Sequence, residues 1–326
     1  MSELIIDLER DPLRVLESTR LVLGNRWDQA RYVHVDQQQV EATADLLAAA
    51  PDPPADWSAT LHPQAESDEA RANLVLVVDA LNFCFWSVPS SQKPRWRVTC
   101  NGETYDGYWA LAAALRRAVE EGYPIADGDF LATITESDVA AILRPDPGTS
   151  DIPLLRARME HLQEAGKAIL GRWDGSFLYA INAAHRSAPR LVKEVVAACP
   201  SFHDTIPWQR REIHFYKRAQ ILIADVYGAF DGSGPGAFND MHLLTAFADY
   251  KVPQVLRRFG VLRYAPALAE KIARYDLIPF ESDEEIEIRS ATIWGVELVR
   301  QALAARGRQM PAFAIDWALW RAGQDL

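Results

Sequence analysis

Helical periodicity is the property of this sequence that most restricts its fold. Apolar residues recur at spacings of three and four between polar faces, a pattern typical of amphipathic α-helices. Thr135 and Asp138 also form a capping-box pattern at one predicted helix start. The predicted helices cover residues 9–23, 38–50, 107–121, 136–143, 153–170, 177–185, 188–198, 213–230, 239–250, 253–259, 266–274 and 290–305. The predicted fold class is therefore all-α.

The sequence predicts one strand pair with a clear local signal. Residues 95–105 alternate around Asn101-Gly102, a dipeptide that favours the tight turn of a β-hairpin. The run 73–86, NLVLVVDALNFCFW, fits two structures. Its β-branched residues suit a buried strand, whereas its length and the spacing of its polar residues suit a buried helix. The residues by themselves leave both readings open.

Two proline-rich stretches, residues 51–69 and 144–151, interrupt the helical pattern. Proline at this density favours extended connections. Neither stretch is long enough to link freely moving domains. We therefore expect a single domain over residues 1–326, with residues 1–70 as an N-terminal extension packed on it.

Charge and composition argue against several functional classes. The formal net charge of −11 opposes binding to duplex nucleic acid, which needs many Lys and Arg contacts with phosphates. A single nucleotide needs only a local basic pocket. The three cysteines are widely spaced and the seven histidines show no ligand motif, so we expect reduced thiols, a cytoplasmic protein and no metal or other cofactor. No apolar run approaches the roughly 20 residues of a membrane span.

The segment from His214 to Leu256 places charged residues among apolar ones, where charge is costly unless it is paired or used. Asp249 is our candidate catalytic group. The predicted helix 239–250 ends near it because Val252 precedes a proline. A carboxylate in a last turn faces the unfavourable end of the helix dipole, and such local rules are often broken at functional sites. The alternative is that Asp249 caps the next helix.

Lys217 and Arg218 precede a wholly apolar helical turn. Either could form a buried structural ion pair with Asp225, and we expect that pair for Arg218. Lys217 is then the candidate for binding a substrate through its phosphate or ribose hydroxyls. Tyr216 supplies a further polar group on a neighbouring face.

Polar and aromatic residues interrupt the run 73–86. In a helix, Asp79, Asn82, Phe83 and Trp86 would lie on one side and could line a pocket that combines hydrogen-bonding groups with ring faces. The alternative is a core helix whose polar groups bond to neighbouring backbone.

Two further acid and aromatic groupings are candidates for substrate binding. Asp316 and Trp320 are four residues apart in AIDWALWRAG and would form one wall of a pocket. Asp204 follows Phe202 in SFHD, where the alternative is that it starts the next turn.

Several blocks of the sequence resemble the queuosine salvage family. They are VVDALNFCFW (77–86), DGYWALAAALRRA (106–118), GSFLYAINAA (175–184), SFHD (201–204), HFYKRAQILIADVYGAF with FNDMHLLTAFADYKVPQVL (214–256), and EIEIRS (285–290). The resemblance covers most of the chain from about Val75 onward. It implies an enzyme that cleaves the N-glycosidic bond of the small-molecule substrate queuosine 5'-phosphate to release queuine, with queuosine as a further candidate substrate.

The same resemblance carries implications for fold and site. It implies a mainly helical fold similar to helix-hairpin-helix DNA glycosylases, and it favours a helix for 73–86. It favours the catalytic role of Asp249 in FADYKVPQ and adds Phe247 to the substrate-binding candidates. The rival function is a helical module that binds nucleic acid or a nucleotide without catalysis. Residues 253–264, PQVLRRFGVLRY, read as helix, glycine turn and helix, but Leu262 replaces the second glycine of the usual DNA-binding hairpin.

Overall fold

The computed structural model describes residues 8–24, 30–51, 57, 60–86 and 93–324. Its secondary structure is mainly helical, which confirms the predicted fold class; the likeness to helix-hairpin-helix glycosylases stays a prediction. The helices are α1 (Val15–Leu23), α2 (Gln37–Ala49), α3 (Asp68–Ala80), α4 (Gly107–Glu120), α5 (Gly128–Thr133), α6 (Glu136–Ile142), α7 (Leu155–Gly171), α8 (Phe177–Ala183), α9 (Ala188–Ala198), α10 (Lys217–Ala229), α11 (Val252–Arg258), α12 (Pro266–Ala273), α13 (Asp283–Ala305) and α14 (Ala312–Ala322). The strands are β1 (Val33–Val35), β2 (Arg97–Cys100), β3 (Glu103–Asp106), β4 (Thr205–Trp208), β5 (Arg211–His214) and β6 (Leu262–Tyr264).

The strands form antiparallel pairs. The β2–β3 hairpin turns at Asn101 and Gly102, whose φ angles of 52° and 83° are those a tight hairpin turn needs, so the predicted hairpin is confirmed. The β4–β5 hairpin was not predicted, because its turn uses Gln209 and Arg210, which are not typical turn residues. The helix predicted over 213–230 is accordingly wrong at its start.

Strand β1 pairs with β6, which lies far away in the sequence, and Val33 is opposite Tyr264. The reading of residues 253–264 as helix, glycine turn and helix is therefore wrong, because α11 is followed by a strand. Pairing over such a sequence distance leaves no local signal.

The chain divides into two compact units. The first contains Met1–Pro54, Asp204–Gln220 and Asp240–Leu326, and the second contains Ala55–His203 and Ile221–Asn239. Our expectation of a single domain with residues 1–70 packed on it stays a prediction. Residues 1–7, 25–29, 52–56 and 58–59 of that segment lie outside the described residues, as do 87–92 and 325–326.

Helix α13 is the central element of the first unit. Every residue from Ser290 to Val299 is buried, and the helix packs against α1, α2, α11 and α14. It begins at Asp283, earlier than predicted, because the Ser282 side chain accepts the Glu285 N–H and three acidic residues occupy the first turn. A helix buried on all faces can present side chains to several neighbours at once.

In the second unit, α3 confirms the helix prediction for residues 73–80 only. The guanidinium of the fully buried Arg158, in α7, donates hydrogen bonds to the carbonyl oxygens of Leu81, Phe83 and Cys84 at 2.7, 2.7 and 2.8 Å. Those carbonyls are thereby satisfied without a helix. The helix prediction is wrong for residues 81–86.

Among the described helices, none combines the length and the apolar character that crossing a membrane requires.

Glu287 of α13 anchors the start of β1. Its carboxylate, 7% exposed, accepts the N–H groups of Arg31, Tyr32 and Val33 at 3.1, 2.5 and 3.1 Å. We expect Glu287→Ala to lower the free energy of unfolding by about 3 kcal/mol, because it leaves buried donors unsatisfied. Urea denaturation measures this. Glu270→Ala, at an exposed position of α12, is the control, and an equal loss in both variants would contradict the anchoring role.

Candidate active site

The segment that carries Asp249 is not a helix. The helix predicted over 239–250 is wrong. Residues 239–251 are all described and contain a 3-10 turn at Met241–Leu243 but no α-helix; α11 begins at Val252. Asp249 consequently precedes the start of a helix rather than ending one, so the helix-dipole argument made for it is also wrong.

Side chains from three helices hold the backbone of this segment, which therefore has no need of internal helical bonds. Gln220 lies in α10, Arg289 in α13 and Asp316 in α14. The bonds are Thr245 N–H to Gln220 Oε1 (2.9 Å), Phe247 N–H to Asp316 Oδ2 (2.9 Å) and Arg289 Nε–H to the Ala248 carbonyl (3.3 Å).

Asp249 itself bonds to the start of α11. Its Oδ1 accepts the N–H groups of Lys251 and Val252 at 2.9 and 2.8 Å. Asp249 therefore accepts a free N–H group at the start of α11, as the capping alternative expected, although the N-cap position itself is Lys251. Both bonds use the same carboxylate oxygen, so capping and a chemical role for the other oxygen are compatible.

Asp249 and Asp316 form an electrostatically coupled pair of carboxyl groups. Burial raises the pKa of the partly exposed Asp249, while Lys217 and the N–H bonds offset part of this effect. Burial and then the charge of Asp249 raise the pKa of Asp316, 3% exposed, well above its ordinary value. Two neighbouring carboxyl groups of this kind release their protons in two separate steps, the second of them at higher pH. We assign the proton to Asp316 and the negative charge to Asp249.

Asp204 makes a charge pair in the same unit. Arg289 Nη1 and Nη2 donate to its two carboxylate oxygens at 3.0 and 2.5 Å, and the Lys217 N–H donates to Oδ2 at 2.9 Å. Burial by itself would raise the pKa of Asp204, but Arg289 and then Lys217 outweigh it, and the pKa lies below the ordinary value. The ionised Asp204 thus bonds the first N–H of α10. The alternative that Asp204 starts the next turn is not supported, because strand β4 begins at the following residue, Thr205.

Tyr216 precedes α10 in a left-handed conformation, with φ 50°. Its hydroxyl and His214 Nδ1 are 3.1 Å apart in a hydrogen bond, and the two rings stack. Burial raises the pKa of Tyr216. A non-glycine residue held at positive φ stores local strain, as is common beside functional groups.

The helical spacing predicted for Asp316 and Trp320 is confirmed, because both lie in α14 one turn apart. Their contacts with a substrate stay predictions.

The four candidates from residues 79–86 belong to the second unit. Asp79 is fully buried in the last turn of α3, and its Oδ1 accepts a hydrogen bond from Asn82 Nδ2 at 3.1 Å. Because α3 ends at Ala80, the prediction that all four share one helical face is wrong. Phe83 and Trp86 each lie under a guanidinium, with the carbon of Arg158 4.4 Å from one ring centroid and that of Arg95 4.4 Å from the other.

Candidates of the first unit are brought together around one charged cluster. Its members are Asp204, Lys217, Phe247, Asp249 and Asp316. Sequence reasoning assigned no role to Arg289, although it is a charged residue in the EIEIRS block. Nowhere in the described residues do three His, Cys, Asp or Glu side chains form a metal-binding group, and the expected lack of a cofactor stays a prediction.

Comparison with known proteins identifies the family. The sequence model of the queuosine salvage protein family matches residues 61–326. This chain belongs to that family. A relative from Sphaerobacter thermophilus is 51% identical over 97% of this chain and 94% of its own length. Relatives from Bos taurus (37% identical; 95% of this chain, 92% of the relative) and Schizosaccharomyces pombe (34%; 82% and 78%) have lower identity. All three family members are named queuosine 5'-phosphate N-glycosylase/hydrolase.

The protonation assigned to Asp316 predicts how stability depends on pH. Between the unfolded pKa of about 3.9 and the raised folded pKa, the folded state holds a proton that the unfolded state releases, so stability falls as pH rises, by up to about 1.4 kcal/mol per pH unit. Asp316→Asn keeps an acceptor for the Phe247 N–H but does not titrate. Urea denaturation from pH 5 to 8 measures the free energy of unfolding of both proteins. The value for the Asn variant should rise relative to that of the wild type as pH rises. A difference in the free energy of unfolding that stays constant with pH would show that Asp316 does not hold the proton.

Proposed function

We propose that this protein hydrolyses the N-glycosidic bond of queuosine 5'-phosphate and releases queuine. Membership of the family supports this, together with relatives whose names state that activity. The observation that carries the proposal is the Asp249–Asp316 pair beside Lys217. Two carboxyl groups whose environments assign one a charge and the other a proton are a typical arrangement for acid and base chemistry at neutral pH.

In the proposed mechanism Asp249 is the catalytic carboxylate. Breaking the bond between ribose and base develops positive charge on the sugar, which a fixed carboxylate stabilises. The bonds from Lys251 and Val252 to Oδ1 hold the carboxylate in place before the reaction. Hydrolysis is completed by one of two routes: water attacks the cationic sugar directly, or Asp249 forms a glycosyl ester that water then hydrolyses.

The leaving base places its own demand on the enzyme. Queuine is a 7-deazaguanine, so protonation at N7, a usual way to activate a purine, cannot occur. The base must instead be held by its guanine-like edge and by aromatic stacking, worth about 1–3 kcal/mol per base. We propose Phe247, Trp320, Tyr216 and Asp204 of the first unit for this binding, with Asp316 beside them. Asp79, Asn82, Phe83 and Trp86 of the second unit stay candidates from the family resemblance.

Lys217 has two proposed tasks. Its charge favours the ionised form of Asp249 and so offsets part of the effect of burial, which raises the pKa of that carboxyl group. As the first residue of α10 it also offers an ammonium group to the 5'-phosphate of the substrate.

The proposed partners and location follow from charge and thiol chemistry. The net charge of −11 supports a small-molecule substrate rather than duplex nucleic acid. All three cysteines are thiols, which supports a reducing, cytoplasmic location.

We expect Asp249→Asn to keep the fold while lowering kcat for queuine release roughly a thousandfold, since about 4 kcal/mol of transition-state stabilisation is lost. Asparagine caps helices as well as aspartate does, so a purely structural role predicts almost no change. Kinetics and a thermal melt of the same sample test this. A correctly folded variant with normal turnover would remove Asp249 from the catalytic role.

Lys217→Met should weaken binding of queuosine 5'-phosphate about tenfold or more while changing the affinity for free queuine much less, because a single charge-assisted contact to phosphate is worth about 1.5–3 kcal/mol. Isothermal titration with both ligands measures the difference. Lys193→Met, at an exposed site of α9, is the control. Equal losses for nucleotide and base would show that Lys217 does not bind the phosphate.

A further inference from the structure

Arg289 is a largely buried arginine whose side chain contacts three segments that are distant from it in the sequence. Its side chain is 11% exposed. Besides the paired bonds to Asp204 and the bond to the Ala248 carbonyl, its guanidinium carbon lies 3.9 Å from the centroid of the Phe215 ring. Nη1, Nη2 and Nε of the guanidinium therefore each donate a hydrogen bond, and the Phe215 ring packs against the guanidinium.

These contacts depend on the shape of a guanidinium. Its planar fork donates two parallel bonds to one carboxylate, and the remaining Nε–H points elsewhere in the same plane. A lysine ammonium has the same charge but cannot reach two carboxylate oxygens and a separate carbonyl in this geometry. Replacing Arg289 with lysine would therefore keep the positive charge but lose part of this hydrogen-bonding geometry.

Both hydrogen-bonding partners of Arg289 adjoin residues of the proposed active site. Asp204 bonds the N–H of Lys217, and Ala248 directly precedes Asp249. One side chain of α13 therefore ties together the start of α10 and the segment that carries the catalytic carboxylate.

Arg289 also balances charge. Several other ionisable groups lie in this part of the first unit. They are the carboxyl groups of Asp204, Glu212, Asp249, Asp316 and Glu285, the last 4.0 Å from Arg289, the Tyr216 phenol, the His214 imidazole, and the ammonium groups of Lys217 and Lys251. The Arg289–Asp204 pair is neutral as a unit. Lys217 acts on both Asp204 and Asp249, but Arg289 supplies the larger part of the compensation at Asp204.

We propose that Arg289 is a positioning residue for the glycosidic cleavage, acting through Asp204 and through the Ala248 carbonyl. The inference rests on the proposed function, because the group it positions is Asp249.

The main test compares Arg289→Lys with Arg300→Lys by steady-state kinetics on queuosine 5'-phosphate. Arg300 is a matched control: it lies in the same helix, is 12% exposed, and makes a forked pair of 2.7 Å bonds with Glu297. We expect Arg289→Lys to lower kcat roughly a hundredfold, as a misplacement of about 1 Å does, with a smaller change in KM. Arg300→Lys should keep kcat within about threefold, because a forked pair away from the reacting groups does not set their position.

A pH profile separates position from charge. Arg289→Lys keeps the cation, so the pH at which kcat falls on the acid side should not move. Arg289→Gln leaves the negative charge of Asp204 uncompensated, which raises the pKa of Asp249 and moves the acid limb to higher pH. A purely structural arginine would lower the melting temperature without shifting this limb.

A double variant completes the test. Arg289→Lys should have little further effect in an Asp249→Asn background, because residues that act as a unit are not additive. The proposal is overturned if Arg289→Lys slows the reaction no more than Arg300→Lys does, or if it slows both backgrounds equally. A wild-type protein that does not cleave the nucleotide would overturn the proposed function, and this inference with it.

Discussion

The buried charge pair between Arg289 and Asp204 is the contact on which the geometry of the proposed active site depends. A pair of this kind stabilises a protein only when its geometry is good and its other hydrogen-bonding groups are satisfied. Both conditions hold, because the carboxylate also receives the Lys217 N–H and the guanidinium also donates to Ala248. Removal of either partner would leave an uncompensated charge, at a cost of about 3–5 kcal/mol.

The region around Asp249 illustrates how preorganisation is built without regular secondary structure. Each of three backbone groups between Thr245 and Ala248 bonds to a side chain from a different helix. A helical turn would have satisfied the same groups locally, but it would have placed the carboxylate according to its own period. Side-chain anchors instead let the surrounding helices set the position, and fixed charges of this kind need no rearrangement during the reaction.

Local signals predicted the elements that depend on local interactions. The periodic run 188–198 coincides with α9, the Asn101-Gly102 turn forms the β2–β3 hairpin, and Thr135 forms its capping box. The errors have three causes: a distant side chain that competes for backbone bonds, as Arg158 does after α3; a hairpin turn without typical turn residues, at Gln209-Arg210; and strand pairing over a long sequence distance, between β1 and β6. For the site, charge in apolar surroundings and family resemblance pointed to Asp249 and Lys217. Arg289 was missed because its importance comes from partners 85 and 41 residues away.

The discontinuous make-up of the first unit has a consequence for how the protein folds during synthesis. Strand β1 obtains its partner β6 and its anchor Glu287 only after more than 200 further residues have been made. The second unit takes most of its residues from one continuous stretch, Ala55–His203, so its contacts are closer in sequence and form sooner. Until then the apolar residues of the N-terminal segment lack the native partners that cover them in α13 and β6, and chaperone binding and aggregation compete with folding at such a stage.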